Sequence, residues 1–177
     1  ETPAPVTPLC PAALDYGTTF TGASAGGEYI KLSIDTATRR YRMTFVESSV
    51  PRSTGQLQNT RAGLTIEGDF THPATLPTAE QNRCAIVLQS GQTSDGSYAA
   101  TINPANPPML FVGFGVVTGG SPGATFQFDG IELAPGTVIA AVPKRSFDSF
   151  PFIGFAVTGT DLSQVAGRYH VVGMYLT

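Results

Sequence analysis

A chain of 177 residues is long enough for one domain with a sizeable core. Charged residues are only 13 % of the chain against 41 % apolar, and the 20 Gly and 14 Pro are the punctuation of many short strands and turns rather than of helices. A net charge of −3 carries no basic footprint for nucleic acid, and the longest strongly apolar run, 109–117, falls far short of the ~20 residues of a membrane-spanning helix.

Residues 1–15 carry Pro at 3, 5, 8 and 11 and read as an extended N-terminal tether. A mature secreted protein, or a lipoprotein trimmed of its anchor, begins this way. Residues 16–177 read as a single all-β domain. The two cysteines, Cys10 and Cys84, are too far apart for a zinc or redox motif. They are expected to form a disulfide that ties the tether to the body, worth ~4 kcal/mol through loop closure. That points to an oxidising compartment.

The clearest local unit is a hairpin. Ile30, Leu32 and Ile34 alternate along 28–34, and Tyr41, Met43 and Phe45 along 39–46. Asp35-Thr-Ala-Thr38 between them has the side chains of a turn. A four-residue turn there predicts Leu32 opposite Tyr41 and Ile30 opposite Met43, so that the apolar faces coincide. Further strands are predicted over 64–70, 84–89, 97–102, 109–118, 124–133, 137–142, 152–158 and 167–177, with no convincing helix beyond one turn at 161–165. The sum is nine or ten antiparallel strands, in a barrel-like meander or a β-sandwich. Residues 111–119 and 152–159 echo each other (Phe-Val-Gly-Phe-Gly against Phe-Ile-Gly-Phe-Ala), as two strands of similar role in one sheet would. Either 167–177 pairs with an early strand and closes a barrel, or the chain ends inside a longer protein. Asp161-Leu-Ser-Gln-Val-Ala-Gly-Arg-Tyr169 resembles the start of the first strand of lipocalin-like barrels, with Tyr169 where that family has Trp. The resemblance covers nine residues and brings no ligand with it.

Catalytic motifs are missing from the sequence. A Ser-His-Asp hydrolase needs a positioned His, and only His72, before a proline, and His170 are present. No Gly-x-Ser-x-Gly elbow occurs, and two scattered imidazoles lack metal-ligand spacing. Neither a cofactor nor a metal is expected. Carboxylate pairs at Glu67/Asp69 and Asp129/Glu132 could serve glycoside hydrolysis or Ca²⁺, but a solvated strand face accounts for Glu67 and Asp69. In the hairpin register above, Lys31 faces Arg42 and Ser33 faces Arg40, with Tyr29 next along. Like charges opposed across strands destabilise a sheet, so an internal acid such as Asp35 or Glu47, or an anionic ligand, should offset them. Tyr29, Lys31, Arg40 and Arg42 are therefore the candidate ligand-binding residues. Phe111, Phe114, Phe126, Phe128, Phe147, Phe150, Phe152 and Phe155 crowd the C-terminal half, as core or as the wall of an apolar pocket.

The function expected is non-enzymatic: a secreted or cell-envelope domain, periplasmic, on the outer surface or extracellular, with a binding or structural role. Its partners would be an anionic glycan or lipid, or another envelope protein. The alternatives are a calycin-like barrel with a small hydrophobic ligand, and a carbohydrate-active enzyme using a carboxylate pair.

Overall fold

The computed structural model describes residues 8–53, 59–128 and 130–156. The strand expected over 167–177, the turn at 161–165, His170, the lipocalin-like segment and Asp129 lie outside them.

The strands are β1 (Thr19–Ser24), β2 (Glu28–Asp35), β3 (Arg40–Ser48), β4 (Thr65–Thr71), β5 (Ala85–Leu88), β6 (Met109–Val112), β7 (Val116–Phe128), β8 (Ile131–Ala134), β9 (Thr137–Ile139) and β10 (Val142–Phe155). Eight of them, all but β8 and β9, close an antiparallel barrel in which each strand pairs with its neighbours in sequence. Closure comes from β10 on β1, with Thr21 opposite Phe155 and Ser24 opposite Phe152. The described barrel is complete with that pairing.

The period-2 alternation explains the inner face. Phe20, Ile30, Leu32, Ile34, Tyr41, Met43, Phe45, Ile66, Phe70, Leu88, Leu110 and Phe152 point inward and form one cluster. Outward positions of β2–β4 carry Lys31, Arg40, Arg42, Glu67 and Asp69. Apolar inside and charged outside is the reverse of an outer-membrane barrel. Among the described residues no helix is long and apolar enough to cross a membrane.

Five expectations are corrected. The β2–β3 hairpin forms, but Ile34 faces Tyr41, Leu32 faces Met43 and Ile30 faces Phe45. The register is displaced by two residues, which keeps every side chain on its expected face. The turn starts after Asp35, whose Oδ1 accepts from the Ala37 and Thr38 amides, and Arg39 takes a φ of 55°. Residues 97–102 are not a strand, apart from one bridge between Gln92 and Ala99. The run 109–118 is broken by a turn at 113–115, with Gly115 at positive φ. The run 124–133 is likewise two strands, the end of β7 and β8, separated at Gly130, also at positive φ. Finally, a short helix, α1 (Ala79–Cys84), is present. It starts with a capping box in which the Thr78 hydroxyl accepts from the Gln81 amide and the Gln81 side chain accepts from the Thr78 amide.

The barrel has two unlike ends. The start of β1, the 36–39 turn, α1 and the 113–115 turn share one end, here the strap end. There Cys10 and Cys84 form the expected disulfide, and residues 9–14 cross the barrel mouth. The other is the arm end. Past Gly119, β7 and β10 continue as a two-stranded ribbon paired out to Phe128–Val142, and β8 and β9 form a separate hairpin at its tip.

Candidate functional site

The charged outer face of β2–β4 is the first candidate. Lys31 lies opposite Thr44, Ser33 opposite Arg42 and Asp35 opposite Arg40, so the predicted Lys31–Arg42 opposition does not occur. On its other side β3 meets acids, with Arg42 opposite Glu67 and Arg40 opposite Asp69. The Arg42 Nε donates to Glu67 Oε1 at 2.8 Å, Arg40 lies 3.9 Å from Glu67 Oε2, and the Arg42 guanidinium covers the Tyr16 ring at 4.8 Å. Internal acids thus meet the arginines, and the one bonded to Arg42 is Glu67 rather than Asp35 or Glu47. Arg40, Glu67, Asp69, Ser90 and Gln92 line an open polar groove of about 290 Å³. Tyr29 and Lys31 sit on neighbouring rungs outside it.

That groove is shaped from below. Gly68 is needed because the Ser90 carbonyl occupies the place of a Cβ. The same carbonyl accepts the Tyr41 hydroxyl at 2.6 Å, and burial pushes the Tyr41 phenol well above its ordinary pKa. Glu67 is about one-third exposed, and its Oε1 is taken up by the Arg42 guanidinium at 2.8 Å.

The arm end holds an arrangement that the sequence concealed. Arg61 and Glu28 are both fully buried. Arg61 Nε donates to Glu28 Oε1 at 2.6 Å and Nη2 to Oε2 at 2.7 Å. Nη2 also donates to the Pro122 carbonyl, and Nη1 reaches the Tyr98 hydroxyl and the Gly123 carbonyl. All five guanidinium donors are engaged, and the Phe45 ring lies 4.1 Å beneath. Ser48 and Ser24 donate to the Glu28 oxygens. Burial alone would lower the Arg61 pKa, but the Glu28 carboxylate more than reverses this and the net shift is upward. Such a saturated pair offers a substrate neither a donor nor a proton. It is a structural clamp joining β2, the 59–61 loop, the loop at Tyr98 and β7.

At the strap end, Leu14 and Thr36 exchange hydrogen bonds. Arg83 donates to the carbonyls of Cys10 and Pro11 and to Glu80. Glu80 also accepts from the Leu9 amide. The Arg83 guanidinium, and then that amide, hold the Glu80 carboxyl at about 2. Cys10, Cys84 and Glu80 have ligand-type atoms within 4.8 Å of one another, but both sulfurs are bonded in the disulfide. Beneath the strap is a mainly apolar pocket of about 270 Å³ that includes His72.

The predicted aromatic wall divides. Phe152 is in the barrel core and Phe150 is buried at the base of the arm with Val50 and Ala124. Phe126, Phe147 and Phe150 make edge-on and tilted contacts there. Phe111, Phe114 and Phe155 face outward. At the arm tip, Leu133 and Val138 are 62 % and 66 % exposed, with Ile139 also exposed, and nearer the base Phe147 is exposed too. The sequence signal for this arm was present as the Pro-Gly turn at 135–136 between two apolar runs.

The model of a family described as "Protein of unknown function (DUF2957)" matches residues 40–177, more than three-quarters of the chain. The chain belongs to this family. No curated protein and no solved structure matches it. Within the described residues, the part of the chain that matches DUF2957 contains Arg61, Cys84 and the arm. Their partners Glu28 and Cys10 precede it.

Proposed function

We propose that this DUF2957 domain is a non-enzymatic binding and structural module of the bacterial cell envelope or extracellular space, which assembles with a second copy of itself through the arm. The disulfide accords with a compartment outside the cytoplasm. The filled barrel, the saturated Arg61–Glu28 pair and the arginine-bonded Glu67 support a role without proton transfer.

The observation that carries the assembly is the exposed arm tip. Among the described residues the strands of four and three residues pair only with each other, and such a two-stranded hairpin is marginal by itself. Its Leu133, Val138 and Ile139 face solvent, and Pro122, Pro143 and Pro151 interrupt the ribbon's donors, which blunts open-ended edge pairing. A twofold contact between two arms covers both tips with one self-complementary patch.

Sedimentation velocity over a wide concentration range tests this. The parent chain should show a monomer–dimer equilibrium, and Leu133→Ser with Val138→Ser should shift it to monomer. A parent that stays monomeric at all concentrations, or a dimer unaffected by both serines, overturns the proposal.

A further inference from the structure

The pocket under the strap lies at the opposite end from the arm and has the makings of a ligand site. Its floor is the rim of the barrel core, with Ile34, Ile86 and Val112. Its roof is the strap at residues 11–14, pinned at one side by the disulfide and at the other by the Leu14–Thr36 hydrogen bonds. At about 270 Å³ it holds roughly nine waters at ~30 Å³ each, or one two-ring molecule. Water against such apolar walls is readily displaced by an apolar group.

One polar side chain gives the pocket direction. His72 Nδ1 lies 2.8 Å from the Ala85 carbonyl, which only accepts, so Nδ1 carries the proton. In the neutral ring Nε2 is then a hydrogen-bond acceptor. The ring is steadied edge-on against Phe70 at 5.6 Å between centroids. Among the described lining residues the cation is Arg83, already answered by Glu80 at 2.7 Å, so none of them holds a free charge for an anion. We infer that this pocket binds a small, uncharged, two-ring-sized apolar molecule bearing one hydroxyl, whose O–H donates to His72 Nε2.

The test titrates the full oxidised chain with 1-naphthol and with naphthalene, followed by calorimetry and probe fluorescence. Naphthol should saturate one site, with naphthalene about three- to tenfold weaker, the range of one net hydrogen bond. His72→Leu should bring naphthol down to the affinity of naphthalene and leave naphthalene unchanged. Ala13→Trp, a substitution in the exposed strap that leaves the core intact, should fill the pocket and abolish both. Naphthol that fails to saturate, binding that survives Ala13→Trp, or a His72→Leu variant that weakens both probes equally overturns the inference. Should His72→Leu fail to fold by circular dichroism, the Ala13→Trp titration and the naphthol–naphthalene ratio in the parent still decide it.

Discussion

Arg61 has no exposed surface, and burying a guanidinium costs several kcal/mol unless its charge and donors are answered. Here a carboxylate, two carbonyls, a hydroxyl and an aromatic face answer them. Among the described residues no buried side-chain polar atom is left without a partner. The value of the clamp is therefore conditional, since each member is tolerable only while the others are in place. Arg61→Met should cost about 3–5 kcal/mol, because it strands the Glu28 carboxylate in the interior. The companion variant Glu28→Leu with Arg61→Met should cost less than Arg61→Met alone, because no buried charge remains. Urea unfolding monitored through the midpoint at constant slope measures both. A single variant that is no less stable than the double would show that the pair contributes by direct attraction and not by mutual neutralisation.

At the scale of elements, the strap and α1 depend on one carboxylate. Glu80 receives Arg83 and the Leu9 amide, and its folded pKa of about 2 lies well below the ordinary carboxyl value of 4.5. A depressed acid stabilises the fold fully above its unfolded pKa and loses that contribution as the pH falls towards the folded value. The difference in melting temperature between the parent and Glu80→Gln should thus be largest at neutral pH and shrink between about pH 4.5 and 2. A difference that stays constant over that window would break the assignment. The disulfide and the alternating strands that α1 and the strap rest on were legible in the sequence, because both are patterns of local residue type. Register was not. Alternation decides which face a residue takes, but a shift of two preserves that face, and only the exact start of the Asp35 turn separates Leu32–Tyr41 from Leu32–Met43. The helix was legible and missed, since Thr78 and Gln81 spell its capping box. β1 was missed because its inward positions are Phe20, Gly22 and Ser24, too small a hydrophobic signal. The Ile153 carbonyl fills the space where a Cβ at Gly22 would be. Arg61 could not be read at all, because its partner Glu28 is 33 residues away and nothing local in Asn59-Thr-Arg-Ala62 announces burial.

For the whole molecule, the closed barrel and the arm are separable bodies of structure. The barrel core draws on β1–β7 and the end of β10, whereas the arm past Phe126 and Phe147 buries none of its described side chains and leaves all but Gln127 exposed. Its attachment is local: Phe150 and Ala124 pack on Val50, and Asp148 accepts from Asn103 and Asn106. Those two amides, Asn106 first, hold the Asp148 carboxyl below its usual range. Because Phe128 and Val142 are paired, replacing residues 129–141 by Asn-Gly closes β7 onto β10 with a two-residue turn of the type that suits twisted hairpins. Little apolar surface inside the fold is lost, so the melting temperature of the shortened chain, compared with the parent at a concentration where both are monomeric, should fall by no more than about 2–4 °C. The same chain should lose concentration-dependent association altogether. A large drop in melting temperature would mean that the tip supports the barrel. Unchanged association would mean that copies meet elsewhere, and the exposed Phe111 and Phe155 on the barrel wall, with Phe114 in the turn at its strap end, are the surface to which the contact would then move.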